Sequence, residues 1–335
     1  LLINQIYITI MNLYPLKFSP ILKPIIWGGS DICKFKGISP QQDGIGESWE
    51  ISGVENNISV VDNGDLRGLN LQNLIAQYKE SLVGKHVFEK FGATFPLLIK
   101  FIDARDNLSI QVHPDDELGM KRHNSFGKTE MWYVINAAPG AFLYSGFAKP
   151  LSPDEYVKSI EDNTFVDYLA KHDVKKGDSF FLPAGRVHAI GAGTFIAEIQ
   201  QTSNITYRIY DYNRKDANGN GRELHTELAK DAIDFKLYDN YQIDYSHKPN
   251  DTVQLESCQY FTTNLLELDK PCKQNHIDKD SFVIYICMDG SCEIKDSNNN
   301  AIELKQGETL LVPAANTKSI TITPDSYVQL LETYV

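Results

Sequence analysis

Gln111 and His113 alternate along the stretch "LSIQVH", while Glu130 and His188 stand farther on, in "GKTEMWYV" and "LPAGRVHAIG". Alternate residues of a strand share a face. Ser109, Gln111 and His113 therefore point away from Leu108, Ile110 and Val112. By the same rule Lys128, Glu130 and Trp132 oppose Thr129, Met131 and Tyr133. Three strands thus offer an amide oxygen, two imidazoles and a carboxylate. Two histidines and a carboxylate can hold a catalytic zinc and leave a position for water or substrate. The same triad serves non-haem iron, and spacing does not choose between the metals. The other six histidines, His86, His123, His172, His225, His247 and His276, lie in helical, turn or charged contexts. They read as ordinary surface or core residues.

A second metal-like pattern is weaker. "DANGNGRELHTE", residues 216–227, fits a calcium loop that would use Asp216, Asn218, Asn220 and Glu227. Only two of these are carboxylates, and a β-like segment precedes them where an entering helix is required. An Asn-Gly turn leading into a helix explains the stretch more simply.

Strand signals supply the frame for these residues. "SWEIS", "FPLLIKFID", "EMWYVIN", "SFFLPA", "TFIAEIQQ" and "TYRIYDY" are rich in β-branched and aromatic residues and bounded by turn formers. Helical periodicity occurs in "LQNLIAQYKESLVG", with Gly84 as its C-cap, in "SPDEYVKSIEDNTFVDYLAKH", opened by Ser152 and Pro153, and in "RELHTELAKDAIDF". From about residue 250 the pattern is almost purely strand, with turns expected at "MDGS" and "DSNNN".

The chain also repeats itself. "KKGDSFFLPAGRVHAIG" at 175–191 is echoed by "KQGETLLVPAANTKSI" at 305–320, which aligns Gly177 with Gly307, Pro183 with Pro313 and His188 with Lys318. Many short strands and a repeated strand–turn unit predict a mainly β protein of two cupin-like jelly-roll modules, the first decorated with helices. Residues 1–10 read as an N-terminal extension ahead of Met11, residues 11–245 as the catalytic module and 246–335 as a β module without metal ligands. The extension has neither a basic region nor a small-residue cleavage site, so no signal peptide is expected.

Bulk properties narrow the partners. A net charge of −12 over 335 residues argues against nucleic acid and anionic membranes, so a phosphorylated ligand needs a local cluster of cations. No apolar run reaches the roughly 18 residues of a membrane span. The five cysteines include no C-x-x-C pair, which points to reduced thiols and a cytoplasmic location. Cys287 and Cys292 read as strand residues.

"PILKPIIWGG", "GESWEIS", "PLLIKFIDARDNLSIQVHPDDE", "GKTEMWYVI", "LPAGRVHAIGAG" and "EIQQTSNITYRIYDYNR" resemble, in order, the signature blocks of type I phosphomannose isomerases in their short bacterial form. The resemblance implies a cupin-type jelly roll with one zinc ion per chain. It implies an aldose–ketose isomerase that interconverts mannose 6-phosphate and fructose 6-phosphate, moving a proton between C1 and C2 through an enediol. It assigns zinc-ligand roles to Gln111, His113, Glu130 and His188, the quartet already assembled from strand alternation, and an active-site role to Arg208. The acid/base is left open among Lys128, Glu198 and a metal-bound hydroxide; a depressed pKa would suit Lys128 to the task. Substrate contacts are expected from Ser109, Lys100 and Arg208, with Lys128, Arg186 and Arg214 as further candidates for the phosphate. An iron oxygenase on a cupin scaffold and a non-catalytic sugar-binding module are the competing readings. The intact ligand set argues against the latter.

Overall fold

A computed structural model describes residues 12–39, 41–215 and 219–335. The proposed extension at 1–10, with Met11, lies outside the described residues, as do Asp216 and Asn218 of the calcium-like pattern. No described helix is long and apolar enough to cross a membrane.

Six strands carry the residues singled out above: β1 (Leu97–Ala104), β2 (Ile110–Val112), β3 (Glu130–Ala137), β4 (His188–Ile190), β5 (Thr194–Gln201) and β6 (Tyr207–Tyr210). They belong to two facing sheets. One runs Ile21–Gly29, Ile45–Ser52, β1, β5, β3, Ser179–Leu182. The other runs β6, β2, β4, Phe142–Phe147, Leu169–Asp173. Trp132, Val134, Ile102 and Ile196 from the first sheet pack between them against Leu143 and Ile190 from the second.

Each sheet also has a covered outer face. Ile110, Val112, Ala189 and Tyr207 pack against Tyr156 and Ala229 of the helices Pro153–Glu161 and Thr226–Ala232. Met131, Tyr133, Ile99 and Ile199 pack against Val253, Ile284 and Leu331 of a third, C-terminal sheet. That sheet takes in the N-terminal strand Leu16–Lys17, paired with Leu310–Leu311, and closes over its own core of Val283, Tyr285, Leu304 and Leu330. The protein is therefore mainly β, with two jelly-roll units and helices on the outside of the first.

The repeat is physical. Gly177 and Gly307 both have positive φ, 91° and 78°, and their N–H groups donate to Val134 O and Cys287 O at 2.9 Å each. The strand after Gly177 pairs with Glu130–Tyr133, and the strand after Gly307 pairs with Val283–Ile286. After Pro183 and Pro313 the copies part: His188 is buried and Lys318 is exposed.

Several elements depart from the expectations. The helix read over 71–84 stops at Tyr78, because Lys79 takes a positive φ of 48°. A short turn of helix, Glu80–Val83, follows, and Gly84 then opens a further helix, Lys85–Phe91. Ser152 forms a full capping box with Glu155, as its position suggested. That helix nevertheless ends at Glu161, before Asn163 at φ 56°, and the later residues form a 3-10 turn and the strand Leu169–Asp173. "MDGS" is no hairpin turn. It is a bulge within one long strand, Val283–Lys295, with Gly290 at φ 74°. All five cysteines are free, and Cys287 and Cys292 lie in that strand.

Candidate metal centre and active-site cavity

Strand register brings the ligand candidates together. On the second sheet Gln111 pairs with His188 on one side and Arg208 on the other, so the three side chains share one face. That face looks toward β3, where Glu130 and Trp132 point the opposite way from Met131 and Tyr133. His113 follows β2 directly.

His113, Glu130 and His188 are all at most 1% exposed, and their ligand atoms lie within 4.8 Å of one another. Glu130 Oε1 is 3.0 Å from His188 Nε2 and 3.5 Å from His113 Nε2. The His188 Nδ1–H donates to Arg186 O at 2.8 Å, so the lone pair sits on Nε2, facing Glu130. Both ring nitrogens of His113 and both oxygens of Glu130 are buried without a hydrogen-bond partner among the described residues. Such orphaned acceptors are costly alone and suited to a shared cation. Burial and the nearby Lys128 ammonium push the His113 imidazolium down to about 3, leaving the neutral ring a metal requires. Burial alone would raise Glu130, but the Lys128 ammonium foremost, with the His113 and His188 rings beside it, holds its carboxyl well below the usual range.

The Gln111 carboxamide nitrogen is 3.3 Å from His188 Nε2. Exchanging its nitrogen and oxygen by a half-turn presents the oxygen to the same point. Trp132 stands edge-on to the His188 ring at 5.2 Å and fixes it from the other side.

Beside these ligands opens a cavity of about 390 Å³. Its lining includes Gln111, Ser109, Lys128, Lys100, Glu198 and Arg208, which places every expected catalytic and substrate-binding residue on one wall or another. Lys128 Nζ lies 3.6 Å from Glu130 Oε2. Lys100 Nζ lies 2.9 Å from Glu198 Oε2, and the Trp132 indole N–H donates to Glu198 Oε1 at 2.9 Å. Burial would lower the Lys100 ammonium, yet Glu198 and Glu47 together raise its pKa and keep it charged. Burial raises the Glu198 carboxyl, with Lys100 opposing.

Two of the phosphate candidates are elsewhere. Arg186 stacks on Tyr238 and Tyr241, 4.6 Å from each ring, and is not in the lining. Arg214 is spent on Asp211 and the Asn107 carbonyl. The cavity also holds residues to which no role was assigned. Trp27, Glu47 and Trp49 come from the "PIIWGG" and "GESWEIS" blocks, whose presence was the available signal. Arg222 and His225 come from "GRELH". His225 is thus no ordinary turn residue, and its position follows from a loop that folds back on β6, which local pattern does not reveal.

Two family profiles match the chain: "Phosphomannose isomerase type I, catalytic domain" over residues 16–133 and "Mannose-6-phosphate isomerase, cupin domain" over 250–327. The chain is 34% identical over 307 residues to mannose-6-phosphate isomerase ManA of Bacillus subtilis, covering 90% of this chain and 94% of that protein. The chain belongs to the type I phosphomannose isomerase family. A mannose-6-phosphate isomerase of Streptococcus mutans is 43% identical over 209 residues, 62% of this chain and 64% of the relative. The crystal structure of the mannose 6-phosphate isomerase from Bacillus subtilis superposes with a TM-score of 0.85 at 31% identity, covering 96% of this chain and 99% of that one.

Proposed function

We propose that this isomerase interconverts mannose 6-phosphate and fructose 6-phosphate in this cavity, with zinc held by His113, Glu130, His188 and the Gln111 oxygen. The observation that carries the reading is the convergence of partnerless buried donor atoms beside a cavity lined by cations. Nitrogen and oxygen ligands in this number suit zinc. When bound, the ion would supply Lewis-acid stabilisation to the oxygens on C1 and C2.

The chain's own groups do the rest. Glu198 holds the migrating proton at Oε2, while the Trp132 indole N–H pins Oε1. Burial raises this carboxyl above the ordinary carboxylate value, and Lys100 at 2.9 Å opposes the shift. Lys128 Nζ, beside Glu130, can donate to a sugar oxygen at the C1–C2 end and is the second proton carrier. Ser109 lies on the Gln111 face and orients the sugar hydroxyls. Arg208 supplies positive charge on the strand next to Gln111. Trp27, Trp49 and Trp132 limit water around the reacting carbons.

A coupled assay for fructose 6-phosphate formation, with and without chelator and with zinc restored, tests the proposal. Zinc-loaded protein that fails to turn over mannose 6-phosphate overturns it. His188→Ala is expected to lose both bound metal and activity, whereas Lys318→Ala, at the equivalent position of the second copy, keeps both. Activity supported by iron alone and dependent on oxygen would favour the oxygenase reading instead.

A further inference from the structure

Beyond the edge strand β6, the cavity wall carries positive charge in excess of its local counter-charge. Among the described residues Asp211 is the buried carboxylate there, and two guanidinium groups already claim it. Arg222 reaches it through Nε at 2.7 Å and Nη2 at 2.5 Å, and Arg214 through Nε at 3.1 Å. Arg208 joins this group as a third arginine. Its Nη1 donates to Glu223 O at 3.0 Å, while its Nε is buried with no partner among the described residues. Burial, and then repulsion from Arg222, depress the Arg208 pKa. Three guanidiniums around Asp211, with exposed Glu223 the other described carboxylate that acts on Arg208, repel one another until an anion joins them.

His225 adds a donor of fixed direction. The backbone N–H of Arg208 donates to its Nδ1 at 3.0 Å, and its own N–H donates to Arg208 O at 2.7 Å. With Nδ1 occupied as an acceptor, the ring must carry its proton on Nε2. Among the described residues the nearest carboxylate to Nε2 is Glu223 at 3.9 Å, itself 84% exposed. Arg208, Arg222 and His225 all line the same cavity as Gln111 and Lys128. Arg208 is also two strands from His188 through Gln111, about 10 Å at ordinary strand spacing. A six-carbon sugar phosphate with its C1–C2 end at the metal ligands reaches that far.

We propose that Arg222 and His225, together with Arg208, form the subsite for the substrate's phosphate group. This rests on the sugar-phosphate isomerase reading above. Asp211 holds Nε and Nη2 of Arg222 and leaves its Nη1 for a phosphate oxygen, and His225 Nε2–H adds a single fixed donor. Lys100 and Lys128 are left to the reacting end of the sugar.

The test uses the zinc-loaded full chain and its Arg222→Gln and His225→Gln variants, with inorganic phosphate as the probe. Calorimetric binding of phosphate and its inhibition constant should each weaken by roughly tenfold to a hundredfold, the loss expected for one charge-assisted hydrogen bond. KM for mannose 6-phosphate should rise by a similar factor while kcat and bound zinc hold. Unchanged phosphate affinity in both variants overturns the subsite, as does a fall in kcat with KM intact. The calorimetry stands without turnover. Wild-type protein that binds phosphate but converts no mannose 6-phosphate would sink the isomerase reading alone, and unchanged phosphate binding in the variants of an active enzyme would sink the subsite alone.

Discussion

Glu198 occupies the position where a carboxylate can be both buried and useful. One oxygen is fixed by an indole N–H, the other faces an ammonium, and both border the cavity. Glu198→Gln keeps the shape and removes the proton exchange. We expect kcat to fall by about 10²–10⁴-fold with metal content unchanged, read by steady-state kinetics and metal analysis of the same preparation. Retained kcat would shift the proton-carrier role to Lys128. At this scale the sequence was informative where residues obey a short period. Gln111 and His113 share a face because they are two apart, and Glu130 is separated from Met131 by the same rule. His225 and Arg222 obey no such rule: two hydrogen bonds tie His225 to the Arg208 backbone, and Asp211 holds Arg222.

Among the elements, helices without an apolar stripe were the hardest to anticipate. Asp116–His123 buries only Gly119, so hydrophobic periodicity is silent. Its end signals were nevertheless present: Asp115 caps the Leu118 N–H at 2.8 Å, acids fill the first turn, and Lys121, Arg122 and His123 fill the last. Gly84 was expected to end a helix, and it does more. It sits at φ 96° between two helices, and a Cβ there would come within 2.1 Å of Asp280 O. Asp280 in turn accepts from the Lys85 and His86 N–H groups at 2.8 and 2.9 Å. Gly84→Ala must therefore pay for both strain and a backbone clash, and should destabilise by at least ~2 kcal/mol in denaturant titration. A change under ~0.5 kcal/mol would mean this junction yields freely.

For the whole molecule, the two copies of the repeat divide the labour. Opposite Trp132 in the first stands Glu198, and opposite Tyr285 in the second stands Glu332. In the second copy the carboxylate is fully engaged: it accepts from Tyr285 OH at 2.9 Å and Asn264 Nδ2 at 2.8 Å, and lies 3.0 Å from His276 Nε2. Burial would raise Glu332, yet the contact with His276 and these hydrogen bonds bring it below its ordinary 4.5. A depressed folded value means the group stabilises fully above the unfolded pKa and loses that contribution as pH falls through the folded one. Melting temperatures measured from pH 6 down to pH 3 should drop more for the wild type than for Glu332→Gln. Parallel curves would refute the assignment. The composition of the second module disclosed its strands but not this polar knot, whose members come from four separate segments.

The strand β3 has Glu130 on the metal side and Met131 against the inter-module core, one residue apart. A slip of one position would exchange the two, so the pairing is either right or useless. Damage by heat or denaturant should then thin the population of working molecules and leave the survivors unimpaired. Partly inactivated samples are expected to lose Vmax in proportion to their native fraction, at constant KM.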